Sequence, residues 1–255
     1  MENTNKGLSS FHLHMIAMAA MLCDHLWGTF FMHVEVLGYI GRLAFPIFAF
    51  LLTEGFFHTR NRKRYLQRMA LFALISEIPF NLMMGRSLFY PLHQNVLLGF
   101  TLGILMMNAL EKHRNRKNLL LRVCLMGLTI LGFFLLGILT FTDYYGYGLL
   151  MICLFYFIHD THALSGWRKW LAMGLQLLGM YWINCEMMQG LVLEFELFGI
   201  PLSFHKQGLA LLALIPIWLY NGSQGPYNRR IRQLYYWFYP VHMLILGGGL
   251  VLYYL

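Results

Sequence analysis

The sequence predicts an all-α fold: a polytopic transmembrane helix bundle of about nine to ten spans, forming one domain over residues 1–255. Three observations predict it. The chain is 58% hydrophobic and only 12% charged, against about a quarter charged for a soluble domain. Its apolar runs recur at spanning length, roughly 17–25 residues. Its lysines and arginines gather in short loops between those runs rather than spreading over a surface.

The spans fall at about 11–32, 38–57, 65–84, 93–110, 119–139, 144–159, 167–184, 206–220 and 235–254. The short polar start "MENTNKGLSS" lacks the cleavage pattern of a signal peptide. Arg60, Arg62, Lys63, Arg64 and Arg68 mark one loop, and Lys112, Arg114, Arg116, Lys117 and Arg122 a second. Arg168 and Lys169 open the seventh span, and Arg229, Arg230 and Arg232 precede the last. The positive-inside rule makes these regions and the N-terminus cytoplasmic. The stretch 189–204, "QGLVLEFELFGIPLSF", is short and carries Glu194 and Glu196. A full crossing there would put Arg229 to Arg232 outside, so it reads as re-entrant or interfacial on the outer side. The net charge of +8 then reports topology, and nucleic acid is not an expected partner.

Cys23, Cys124, Cys153 and Cys185 are scattered without a CxxC pair, so neither a disulfide framework nor a zinc site is expected. "HDTH" at 159–162 reads as a solvated loop, and no metal is expected. Motifs such as HExxH, GxSxG or a Walker A loop do not occur.

Ionisable residues inside spans are costly and mark functional sites by default. By span direction, Asp24, His25, Arg42, Glu77, His93, Asn95 and Asp143 come to a similar depth near the outer side, as a shared polar pocket. His14 precedes His25 by close to three helical turns, so both face one way about 16 Å apart. Glu54 ends the second span beside Arg60 and Arg64, whose loop could hold phosphates of a cytoplasmic ligand. Pro240 is expected to kink the last span near His242. A histidine near a carboxylate suits general-base chemistry. His25 with Asp24 could deprotonate an amine or hydroxyl while Arg42 or Asn95 stabilises an oxyanion. The same set could relay protons in a transporter, so the residues alone leave both readings open.

"MIAMAAMLCDHLWG", the stretch from "GYIGRLAFPIFAF" through "ISEIPFNLM", "HQNVLLGFTLG", "TDYYGYG" and "LYNGSQG" closely resemble the TraX family over nearly the whole chain. The resemblance implies a polytopic inner-membrane protein that acetylates the N-terminal amine of a pilin, with acetyl-CoA as donor. TraX proteins resemble broader multi-span acyltransferases, whose first span carries a basic residue and a histidine with ten residues between. Those positions are His14 and His25 here, and His14 departs from the Lys or Arg of many relatives. The resemblance implies His25 as the base with Asp24 beside it. It also implies Arg42, Glu54, Glu77 and Asn95 as lining residues. The expected partners are acyl-CoA, an acceptor peptide or small molecule, and membrane lipids. A non-enzymatic transporter or assembly partner is the alternative.

Overall fold

The computed structural model describes residues 7–197 and 200–253. The chain divides into two compact units, Met1–Leu51 with Ile158–Arg232, and Leu52–Phe157 with Gln233–Leu255. The divisions pass within two helices.

In the first unit, α1 runs Ser10–Thr29 without a break through His14 and His25. Its start is capped by Ser9, whose backbone N–H donates to His12 Nδ1 at 3.1 Å, which satisfies a donor that the helix cannot. α2 is short, Glu35–Gly41, and α3 runs Ala44–His58. The predicted continuous span 38–57 is therefore interrupted at Arg42 and Leu43. Pro46 explains the break, because it has no N–H to donate to the Arg42 carbonyl one turn earlier. Gly41 permits it sterically, since a Cβ there would overlap the Asp24 side chain.

Further along the first unit, α8, Gly166–Tyr181, passes into a π-helical turn, Trp182–Met187. Next come β1, Val192–Leu197, and β2, Ile200–His205, paired antiparallel with Val192 opposite His205 and Leu197 opposite Ile200. The fold is thus not purely α. A two-stranded hairpin has open strand edges, whose unpaired backbone groups lipid cannot satisfy. Glu194 and Glu196 are exposed on it. A 3-10 run, Lys206–Ala213, then leads to α9, Leu214–Trp218.

In the second unit, α4 (Arg62–Gly85), α5 (Val96–Arg114) and α6 (Leu119–Leu139) are capped by Asn61, Asn95 and Asn118. Each side-chain carbonyl accepts from a first-turn N–H, at 2.9–3.0 Å. α6 turns almost all its length outward, burying only Gly137, as expected of a lipid-facing helix. α7, Tyr145–Phe157, packs on it where Gly137 faces Gly146, and small residues let the two backbones approach. α10 runs Arg229–Tyr253. Arg229, Arg230 and Arg232 lie inside its first turn rather than before it. Tyr239, His242, Met243, Leu246 and Leu250 form its buried face, at helical spacing.

The predicted spans all fall on helical segments. Among the described residues, three stretches are both long and apolar enough to cross a membrane: Glu35–His58, Leu119–Leu139 and Arg229–Tyr253. That is fewer than the nine to ten expected. α4 is diluted by its basic first turns, and α7, α8 and α9 are too short alone.

Candidate active site

The candidate residues fall in both units. His14, Asp24, His25 and Arg42 belong to the first. Glu54, Arg60, Arg64, Glu77, His93, Asn95, Asp143 and His242 belong to the second.

In the first unit, Arg42 is the hub. Its position at the α2–α3 break points the guanidinium back at α1. Nη2 pairs with the Asp24 carboxylate, Nη1 donates to Gln207 Oε1 at 3.2 Å, and Nε donates to the Gly38 carbonyl at 3.4 Å. The planar fork of arginine can serve three such partners, which a lysine cannot. Gln207 donates in turn to Asn184 Oδ1 at 3.0 Å, and Asn184 Nδ2 donates to the Met180 carbonyl at 2.8 Å. Asn184 is buried within the π-helical turn. Such turns are often found at functional sites.

Lys206, next to Gln207, is buried. Its ammonium lies 3.5 Å from the Trp27 ring centre, 5.1 Å from that of Tyr39 and 3.1 Å from Glu35 Oε2. An aromatic and carboxylate enclosure of this kind compensates a buried cation. It fixes the foot of the hairpin to α1 and α2. Lys206, Gln207 and Asn184 were not among the residues predicted. The cost of Lys206 and Gln207 inside an apolar run is the signal that could have found them.

His25 is half-buried one residue from Asp24, and its carbonyl accepts from Thr29 Oγ1 at 2.6 Å. His14 Nδ1 lies 2.8 Å from the Ser10 carbonyl. A carbonyl only accepts, so Nδ1 carries a proton and Nε2 is turned elsewhere.

In the second unit, His93 Nε2 lies 3.0 Å from Asp143 Oδ1, and the edge of Phe80 packs on the imidazole at 5.1 Å. This is a histidine held by a carboxylate, the arrangement that orients a general base. Beside it in sequence, Asn95 Nδ2 donates to Glu77 Oε2 at 2.5 Å and to the Ala73 carbonyl at 2.9 Å, while its Oδ1 caps α5. The Val96 N–H donates to the buried Tyr239 hydroxyl at 3.3 Å. His242 Nδ1 reaches the Phe238 carbonyl at 2.6 Å, with the rings stacked. These bonds bring α4, α5, α10 and the start of the α7 segment together around polar groups.

Farther along the second unit, Glu54 is buried, with His58 Nδ1 at 3.7 Å from Oε2. Arg60 and Arg64 are exposed. Between the two basic loops, Tyr156 donates to Glu111 Oε1 at 2.6 Å. Arg114 lies 3.2 Å from the same oxygen and Arg62 3.7 Å from the other. Burial pushes the Glu111 carboxyl up, but the Tyr156 and Arg114 hydrogen bonds and the Arg114 and Arg62 charges outweigh it. The group titrates below its usual value. Glu111 and Tyr156 were also not predicted. Among the described residues no three His, Cys, Asp or Glu side chains come close enough to hold a metal.

Comparison with known proteins places this chain in a family. The family described as TraX protein matches residues 9–250. A "probable fimbrial assembly protein FimC, serogroup H1" of Dichelobacter nodosus is 31% identical over 257 residues, covering 95% of this chain and 96% of that protein. No solved structure matches. The match of the family along almost the entire chain, together with this full-length relative, means that the chain belongs to the TraX family.

Proposed function

We propose that this protein is a membrane-embedded acyltransferase that moves an acetyl group from acetyl-CoA to an amine, first of all the N-terminal amine of a pilin-like peptide, or to a hydroxyl. The observation that carries the reading is the Asp24–Arg42–Gln207–Asn184 network in the unit that holds His25. A guanidinium fixed by several partners is a preorganised positive charge, suited to an oxyanion that develops only during reaction.

In this reading transfer is direct. The acceptor nitrogen attacks the thioester carbonyl carbon, a C–N bond forms, and the oxygen becomes an oxyanion near Arg42. The C–S bond then breaks and CoA leaves as its thiolate. His25 takes the proton from the acceptor nitrogen and returns it to the thiolate sulfur. Asp24 holds Arg42, so its part is to position that charge. Exposed Arg60 and Arg64 supply positive charge for the phosphates of acetyl-CoA. Glu54, Glu77, His14, Asn95 and His242 remain proposed lining residues. The protein sits in the bacterial inner membrane with its N-terminus in the cytoplasm, and fusion of a topology reporter to residue 1 tests that orientation.

A second assignment of the base rests on the His93–Asp143 pair. Its carboxylate already orients an imidazole, so His93 is the alternative proton acceptor. The relative's name, a fimbrial assembly protein, supports a fimbrial subunit as the acceptor. It equally suits a non-enzymatic assembly partner.

The test is acetyl transfer by purified protein, with labelled acetyl-CoA and peptides whose N-terminus is free or blocked. Label on the free peptide only, with loss of transfer in folded His25→Ala, is the expected result. Loss in His93→Ala with survival in His25→Ala moves the base to His93. Absence of both transfer and acetyl-CoA binding overturns the enzyme reading in favour of assembly.

A further inference from the structure

We propose that the groove between α8 and α9 binds an anionic phospholipid, with an acyl chain along its walls and the headgroup phosphate on Lys169. The groove lies wholly within the first unit, has a volume of about 350 Å³ and is open to the surroundings along its rim. Trp170, Met173, Ile215, Trp218 and Leu219 make its walls apolar, and Lys169 is its charged group.

Three features identify the occupant. The first is that one wall is built and fixed. Trp218 Nε1 donates to Gln176 Oε1 at 2.7 Å, and buried Gln176 donates to the Ile158 carbonyl at 2.7 Å. The indole therefore cannot swing in to fill the space. The second is that the rim is apolar and open. Trp170 is 72% exposed, Ile215 54% and Leu219 55%. Lipid chains cover such a rim, and a polar solute gains nothing from it. The third is charge. Among the described residues Lys169 is paired with no carboxylate, and Arg168 adjoins it. Both stand in the first turn of α8 with the exposed tryptophans Trp167 and Trp170. A helix end carrying tryptophan and basic residues is the composition of the headgroup level. Lys169, the charged group of the groove, selects a lipid with net negative charge over a zwitterionic one. This inference stands apart from the acyltransferase reading and needs none of its residues.

The experiment is native mass spectrometry of the delipidated full-length protein, titrated with phosphatidylglycerol, with phosphatidylcholine of the same chains, and with glycerol phosphate. Wild type is expected to retain phosphatidylglycerol about fivefold better than phosphatidylcholine, the preference one lysine near a headgroup supplies. Lys169→Gln should abolish that preference and Lys169→Arg should keep it. Met173→Trp, which fills the groove, should weaken retention of both lipids. Equal retention of the two lipids by wild type would overturn the proposal. So would a preference untouched by Lys169→Gln, which would place the lipid on the other basic loops. Binding of glycerol phosphate as tight as that of the lipid would remove the acyl chain from the site and overturn it as well.

Discussion

The first unit centres its polar residues on a cation, and the second centres its own on carboxylates. In the first, Arg42 gathers Asp24, Gln207 and the Gly38 carbonyl, and Lys206 sits among Trp27, Tyr39 and Glu35. In the second, Asp143 holds His93 and Glu77 accepts from Asn95. A fixed cation stabilises negative charge, and a histidine on a carboxylate moves protons. The two units thus hold polar centres of different kinds. The difference also shows in their construction. Arg42 depends on partners distant in sequence, while Asn95 combines its tertiary bonds with a local helix cap.

The comparison can be broken by removing each centre. Arg42→Ala leaves Asp24 without its cation, and should lower stability by about 2–3 kcal/mol. That is below the roughly 3–5 of a fully buried pair, because about a fifth to a quarter of each side chain is exposed. Denaturation in detergent measures it. Arg42→Lys should rescue only part, since an ammonium cannot serve the same three partners. Asn95→Ala removes a cap and two hydrogen bonds together and should cost about 2 kcal/mol. Asn95→Asp should do worse than alanine, because it sets a carboxylate against Glu77. The opposite order would mean that one of the pair is protonated.

A steric test sharpens the comparison. Gly41→Ala forces a methyl group into the Asp24 side chain, and should cost about 1–3 kcal/mol and disturb Arg42. Gly127→Ala on α6 meets open space, and should leave the thermal midpoint unchanged or slightly raised. The smallest expected effect is a pH dependence at Glu111. Its folded value lies below the ordinary 4.5, so its contribution is fully present above about 4.5 and is lost as pH falls through the folded value. The thermal midpoints of wild type and Glu111→Gln should therefore differ at pH 7 and converge as pH falls through that folded value.

Much of the helical layout was legible in the sequence. The run 119–139 matches α6 residue for residue, because a helix that faces lipid is apolar on every side and needs no partner to define it. The break at Arg42 was missed, since hydropathy does not register the donor that Pro46 lacks. The hairpin was missed too, although Leu193, Phe195 and Leu197 alternate with Glu194 and Glu196, a period-two signal. Asp24, Arg42, Glu77, His93, Asn95 and Asp143 were picked out by the cost of polar groups in apolar runs, and the structure pairs them two by two. Which residue joins which was not readable. Arg42 and Gln207 are 165 positions apart, and no local pattern reports such a contact.

The most direct measurement of the central claim is the release of free CoA thiol by purified protein given acetyl-CoA and a peptide with a free N-terminus, beside Arg42→Ala and His25→Ala. The account predicts thiol release matched mole for mole by acetylated peptide, abolished in folded His25→Ala and strongly reduced in Arg42→Ala. Acetyl-CoA that binds no protein and is never consumed, with any acceptor, would contradict it.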